Sequence, residues 1–348
     1  MKKKIISLLI LIFVCICIFG DGVNAKERRF KKQDIKYTYN DSMFYVSPMY
    51  VINDGKVRYM RYDYKPDKEC SVFYIDAVRG KKVKKISSFK YRDDKYDTDI
   101  FNDVKVLDND INLTIMKRNY GKKQNIVIRE YDKKGKKIFT YIDDNEKRSI
   151  GSLGLKGWDD GSNIYYTHIK LSHDANSYVF NTRCINKKSK KVKDMRSFKL
   201  DAAKSVLSRE NYLKIEKGKI YVLCEKKINV YSLNGNLLYT CKLPDGERTI
   251  RIDYDYSPEI VNYLTFNDFS VCGDYVYYCN RNGIYRWNMK GRGGFTLYYN
   301  AEGDEYFGSE YGAADICVKD ENTIYLMLEN IDDDDIAVPT KIVKYSRG

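Results

Sequence analysis

Gly273-Asp274-Tyr275-Val276-Tyr277-Tyr278-Cys279-Asn280 sets a small-residue turn before a run of β-branched and aromatic residues, and the same pattern returns along the whole chain. Its counterparts are Val57-Arg58-Tyr59, Ile111-Asn112-Leu113, Ile164-Tyr165-Tyr166, Ile220-Tyr221-Val222 and Ile324-Tyr325-Leu326. The anchors 57, 111, 164, 220, 276 and 324 lie 54, 53, 56, 56 and 48 residues apart. A recurrence near that length, made only of strand signals, is what radial repetition of four-stranded sheets requires. The predicted fold is all-β: a six-bladed β-propeller, one blade per recurrence.

Each recurrence continues into a third strand, a Gly-containing or basic turn, and a fourth strand. Ser71–Ile75 leads through Arg79-Gly80-Lys81-Lys82 to Val83, and Ile126–Ile128 leads through residues 132–137 to Ile138-Phe139. Ile228–Tyr231 leads through Asn234-Gly235 to Leu237–Tyr239, and Asn-Gly between alternating runs is a strong hairpin signal. The last repeat stops short: Thr340–Tyr345 reads as a third strand, and Gly348 follows closely. An open ring would leave strand edges bare. The orphan run Ile35-Lys36-Tyr37-Thr38-Tyr39 is therefore expected to complete the sixth blade and latch the ring.

Residues 1–25 read as a signal peptide: Lys2, Lys3 and Lys4, then an apolar stretch from Ile5 to Phe19, then Val23-Asn24-Ala25. The apolar stretch is shorter than the ~20 residues of a spanning helix, so residues 26–348 are expected as one propeller domain, secreted or associated with the cell surface, with no transmembrane segment after cleavage. The abundance of Lys, Ile, Asn and Tyr suits an AT-rich bacterial genome and inflates the net charge of +14, two units of which belong to residues 1–25. Of nine cysteines, seven follow the leader: Cys70, Cys184, Cys224, Cys241, Cys272, Cys279 and Cys317. Cys224 and Cys241 fall two strands apart, roughly 9–10 Å and beyond disulfide reach, so buried thiols are expected in place of a disulfide framework.

Gly161-Ser162-Asn163-Ile164-Tyr165-Tyr166-Thr167 and the 273–280 stretch resemble the second-strand signature of six-bladed propellers of the YWTD kind, and are similar to uncharacterised extracellular bacterial propeller domains. The tetrapeptide's Trp is a Tyr here, and its final Asp is His168 or Asn280. That resemblance implies a binding scaffold and carries over no catalytic residue.

Third-to-fourth strand turns carry Lys81, Lys82, Lys133, Lys134, Lys136, Lys137, Lys187, Lys188, Lys190, Lys191, Lys290 and Arg292, and Lys84 and Lys85 follow the first of them. Segments read as blade-to-blade connections carry Asp93, Asp94, Asp97, Asp99, Asp103, Asp143, Asp144, Asp159, Asp160, Asp253, Asp255, Glu302, Asp304, Glu305 and Glu310. One basic face and one acidic, aromatic face are expected. The ligand candidates are Trp158, Asp159, Tyr254, Asp255, Tyr256 and Tyr306, rings beside carboxylates that suit a protein, peptide or glycan. The basic face suits an anionic surface polymer, and the leader argues against nucleic acid.

Asp97-Thr98-Asp99 and Asp332–Asp335 lack EF-hand spacing, and His168 and His173 form no zinc motif, so no metal or other cofactor is expected. No GxSxG elbow is present, and no carboxylate pair stands out. The reading is a monomeric binding module. The alternative is an extracellular carbohydrate-active hydrolase or lyase with carboxylates near the central channel.

Overall fold

In the computed structural model the six recurrences become the second strands of six sheets: Val57–Lys65, Asn112–Tyr120, Asn163–Leu171, Lys219–Leu223, Tyr275–Asn280 and Thr323–Asn330. The structure describes residues 30–36, 43–52, 54–65, 70–91, 98–107, 111–120, 123–143, 152–172, 176–202, 212–224, 226–246, 249–253, 261–265, 267–308, 310–330 and 341–348.

Every sheet is an antiparallel meander. Blade 1 runs Met43–Val46, Val57–Lys65, Cys70–Arg79, Lys82–Tyr91, and blade 2 runs Thr98–Val106, Asn112–Tyr120, Lys123–Tyr131, Lys137–Asp143. Blade 3 begins Ser152–Asp159, Asn163–Leu171, Ser177–Asn186 and ends in a split outer strand, Val192–Asp194 and Phe198–Asp201. Blade 4 is Leu213–Glu216, Lys219–Leu223, Lys227–Ser232, Leu237–Lys242; blade 5 is Asp268–Cys272, Tyr275–Asn280, Gly283–Asn288, Thr296–Asn300. Blade 6 is Tyr311–Asp320, Thr323–Asn330, Lys341–Arg347, with Phe30–Ile35 as its outer strand. The chain is thus a six-bladed β-propeller. Between blades 4 and 5 an extra hairpin, Thr249–Asp253 with Val261–Thr265, brackets Tyr254, Asp255 and Tyr256, which lie outside the described residues.

Burial explains why the second strands were so visible. They are covered on both faces, so Lys219–Leu223 and Tyr275–Asn280 carry four and five consecutive buried residues. Fourth strands sit at the rim, and Leu237–Lys242 buries only Cys241. Six apolar clusters result, one between each pair of neighbours. Met60, Phe73 and Phe89 of blade 1 meet Met116, Val127 and Tyr131 of blade 2, for example, and Ile35 and Met327 of blade 6 meet Met49, Tyr59 and Val78 of blade 1.

An aromatic wedge recurs at these interfaces. Tyr131, ending a third strand, stacks at 4.2 Å on Phe89 of the preceding blade, which stacks at 5.0 Å on Phe73. Tyr231, Phe198 and Phe180 repeat the arrangement at 3.9 and 4.6 Å. The turn after each wedge residue presses on the blade before it: a Cβ at Gly135 would lie 2.4 Å from Phe89 Cβ, and one at Gly235 would lie 2.6 Å from the Arg196 carbonyl oxygen. Both positions also have positive φ, which favours glycine.

The latch forms, but five residues earlier than the alternation of Ile35, Tyr37 and Tyr39 suggested. Phe30 pairs with Arg347 and Ile35 with Ile342, and Lys36 bridges onward to Lys82 of blade 1. Lys31, Lys32, Gln33 and Asp34 hid this strand, because a rim strand shows most of its side chains to water. Ile35 is buried, and Phe30 meets Tyr298 and Tyr299 edge-on at 5.4 and 5.2 Å. Lys32 reaches Asp304 at 3.1 Å and Glu305 at 3.0 Å. Burial would raise the Asp304 carboxyl, but the hydroxyls of Tyr299 and Tyr345, the Tyr306 N–H and Lys32 hold it below its usual range. Replacing Ile35 by Ala is expected to lower the unfolding free energy by about 2–5 kcal/mol, and Lys32→Ala by no more than about 1 kcal/mol because that pair is partly solvated. Urea titrations of the two variants check this ordering, and equal losses would contradict it.

Candidate functional site

The first strand of each blade stands at the axis, continued in blade 1 by the short strand Tyr50–Val51 that pairs with Val57-Arg58, and its alternate residues face its counterparts. One axial level is Pro48, Asp103, Lys156, Lys214, Asp268 and Asp315; the next is Tyr50, Lys105, Trp158, Glu216, Ser270 and Cys317. These levels follow from a repeated cross-blade bond. Asp103 accepts the Gly157 N–H at 2.8 Å, Asp268 the Ile316 N–H at 3.0 Å, and Asp315 the Met49 N–H at 2.7 Å. Each carboxylate thereby ties its own blade to the next.

The same carboxylates carry the axial lysines. Lys214 lies 3.2 Å from Asp268 and 3.6 Å from Asp315, and it also donates to the Phe269 carbonyl oxygen. Lys105 lies 3.1 Å and Lys156 3.7 Å from Asp103. Burial would lower the Lys214 ammonium, but Asp268 and Asp315 together hold it above the usual lysine range. Burial wins at Lys156, whose ammonium is pulled down despite Asp103. At Asp315 burial raises the carboxyl in spite of Lys214. Asp103 was expected in an acidic connection; it is instead a buried axial fastener, because the strand Thr98–Val106 extends through it.

Strand direction sorts the loops. Turns after first and third strands leave on one face; turns after second strands and the blade-to-blade connections leave on the other. Trp158 and Asp159 end the first strand of blade 3, ahead of the Asp160–Ser162 turn, so they belong with the lysine turns and not with the connections. There they line a cavity of about 80 Å³ at the axis, with Tyr50, Val51, Lys105, Val106, Leu107, Ile215, Glu216 and Lys217. Trp158 stacks on Tyr165 at 5.6 Å. Tyr306 does sit in a blade connection, but it is buried: its hydroxyl bonds Asp34 at 2.8 Å, and Lys32 and Lys341 cover its ring at 4.6 and 4.8 Å. It serves the latch. The six candidates therefore do not form one site: two line the axial cavity, one packs in the latch, and Tyr254, Asp255 and Tyr256 are outside the described residues.

A second charged cluster adjoins the cavity at the interface of blades 2 and 3. Lys187 lies 2.9 Å from Glu130 and 2.9 Å from Asp159, and Glu130 is fully buried. Burial pushes the Glu130 carboxyl up to about 7, with Lys187 pulling it back and Asp159 adding to the rise. Around this cluster Lys81, Lys82, Lys84, Lys133, Lys134, Lys136, Lys137, Lys188, Lys190 and Lys191 are exposed. They form a basic arc over blades 1–3 on the face where the cavity opens. In blade 5 Lys290 is instead paired to Asp274 at 2.8 Å, and the blade 4 turn, Leu233–Asn236, has no lysine. The described thiols of Cys184, Cys224, Cys241, Cys272, Cys279 and Cys317 are all unpaired by disulfides. Burial pushes the Cys224 thiol up to about 11.

No family model and no curated protein matches the chain. Among solved structures, it is similar to the β-propeller domain of the Trilobed protease from Pyrococcus furiosus, with 10% identity, a TM-score of 0.45, and coverage of 87% of this chain and 82% of that one. It is also similar to the Pan2 WD40 domain of Neurospora crassa, with 11% identity, a TM-score of 0.44, and coverage of 92% and 97%. A third similarity is to the GH93 α-L-arabinofuranosidase of Fusarium graminearum, with 10% identity, a TM-score of 0.44, and coverage of 92% and 98%. The strand pairing, not these likenesses, defines the fold.

Two outcomes follow from the buried charges. Folded Glu130 keeps its proton to about pH 7, whereas the unfolded side chain releases it near 4.5, so the folded state binds more protons between those values and stability falls as pH rises through that window. Glu130→Gln should remove this decline, read as urea midpoints against pH; parallel wild-type and variant curves would contradict it. Asp268→Ala leaves Lys214 with Asp315 as its one carboxylate partner and strands the Ile316 N–H, an expected loss of about 3–5 kcal/mol by the same titration.

Proposed function

We propose that the chain is a binding module that lays the turn face of blades 1–3 on an anionic polymer. The supporting observation is the basic arc: ten exposed lysines gathered on one side of one face. Each lysine alone would be an ordinary solvated turn residue. Their concentration sets up a field that draws a polyanion from several directions at once. Blades 4 and 5 add less to it, with Lys290 paired to Asp274 and Lys217 and Arg292 the only other exposed basic residues in their turns on that face.

Engagement of the axial carboxylates favours binding over hydrolysis. Glycoside hydrolysis needs one carboxyl group ready to give a proton and another to attack or to activate water. Asp103, Asp268 and Asp315 each hold a lysine and a backbone N–H of the next blade. The leader remains part of the reading as an export signal. A latch that begins at Phe30 tolerates cleavage after Ala25, and an exported chain would meet wall or surface polyanions.

On immobilised dextran sulfate the protein is expected to be retained at low ionic strength and released by salt. Reversing Lys133, Lys134, Lys190 and Lys191 to Glu should cut the salt needed for elution by at least half. Reversing Lys226, Lys227 and Lys242 of blade 4 should change it little. Retention that ignores salt, or equal effects of the two sets, would overturn the assignment.

A further inference from the structure

The axial cavity holds a charge pattern that the polymer reading does not use. Of its four charged lining residues, Lys105 is paired with Asp103 at 3.1 Å and Asp159 with Lys187 at 2.9 Å. Glu216 and Lys217 have no ion-pair contact within 4 Å among the described residues; burial raises the Glu216 carboxyl, and Lys214, Lys105 and Lys217 act on it from farther off. One carboxylate and one ammonium are thus left facing the same small space, beside the rings of Tyr50 and Trp158.

The backbone at this spot is also costly for the sequence to maintain. Lys217 and Gly218 form the two-residue turn between Leu213–Glu216 and Lys219–Leu223, with φ of 47° and 75°. Such a turn favours Asn-Gly or Gly-Gly, because a side chain with a Cβ is strained at positive φ. Among described residues the only other non-glycine with positive φ is Lys190, in the basic arc. Strain kept at a binding surface, where Asn would relieve it, is a signature of use.

From these features we infer that the cavity between Tyr50, Trp158, Glu216 and Lys217 binds a small zwitterionic group, its ammonium directed to Glu216 and its anionic end to Lys217. The size permits it: about 80 Å³ exceeds the roughly 10–15 Å³ that one water needs on the same measure, so the space admits an aminoethyl-sized chain. Aromatic walls add cation–π attraction for the ammonium. Lys217 is exposed at the rim, so the anionic end can remain attached to something larger. The site deepens the binding-module reading, on which it rests only for the choice of face.

Isothermal titration of the full chain with O-phosphoethanolamine tests the assignment, with ethanolamine and inorganic phosphate as its two halves. Saturable binding of the whole compound, at least tenfold tighter than either half, is the expected result. Glu216→Gln should weaken it at least tenfold. Lys217→Asn should do the same while raising the urea midpoint, since the turn gains its preferred residue; a purely structural lysine would leave the titration unmoved. No binding, halves that bind as well as the whole, or an unaltered Glu216→Gln titration would each overturn the inference. Capture by phosphatidylethanolamine vesicles would place the zwitterion on a lipid headgroup, and binding of the free compound alone would place it in solution or on a polymer. Dextran sulfate retention of the unmodified chain reads the lysine arc separately, so failure of one reading is distinguishable from failure of the other.

Discussion

A four-stranded sheet with two apolar faces cannot be stable alone, and every blade of this protein depends on having a neighbour on each side. The six apolar clusters all lie between blades. Ring closure therefore matters more than any single sheet, since an open ring would expose both apolar faces of one such interface at once. The chain closes by pairing Phe30–Ile35 with Lys341–Arg347, joining residues from its two ends in one sheet. That pairing carries a large loop-closure entropy, which the buried Ile35, the Phe30 aromatic contacts and the Asp304 hydrogen-bond set offset. Tyr306 belongs to this closure, which is why an aromatic residue in an acidic connection is not available to a ligand.

At the centre a different force operates. Beside the axial cavity the inner strands are held together by charge: Asp103, Lys105, Lys156, Lys214, Asp268 and Asp315. A buried ion pair adds little net stability by itself. These carboxylates do more because each also receives a backbone N–H from the following blade, which fixes the relative height of the two inner strands. Register around the ring is thus set by hydrogen-bonded charges, and bulk by the wedge aromatics. The six described free cysteine thiols fit the same division: small side chains packed in strands.

How much of this was legible follows from what each strand faces. Second strands are buried on both sides, so their apolar runs stood out, and all six anchors fall on them or beside their starts. Third strands were found with them because Gly and Lys turns punctuate their ends. The latch was half legible: Ile35 is its buried end, but the polar residues Lys31 to Asp34 resemble a tail when read without the sheet beside them. First strands misled in the opposite way. Charges at alternate positions, as in Leu213-Lys214-Ile215-Glu216, look like a solvated face, although here that face is the axis. By that pattern Asp103 reads as part of a loop, and Lys105 and Glu216 give no sign of an axial place. The chemistry of Trp158 and Asp159 suits a ligand but does not give their face, because Asp159-Asp160-Gly161 reads equally well as a connection or as the hairpin it is.

The corrected placement changes what the turn face can do. Had Trp158 sat among the connections, its ring would lie far from the lysines and the two features would need separate ligands. On the same face, the aromatic cavity and the basic arc can act on one molecule. The arc supplies long-range attraction that salt can screen, whereas the cavity, with its charges held by rigid inner strands, supplies contact that salt affects less. Lys217 joins the two, being both the rim of the cavity and one more positive charge on that face. Its left-handed backbone then has a simple account: asparagine would suit the turn, but it would remove the one ammonium shared by the arc and the cavity.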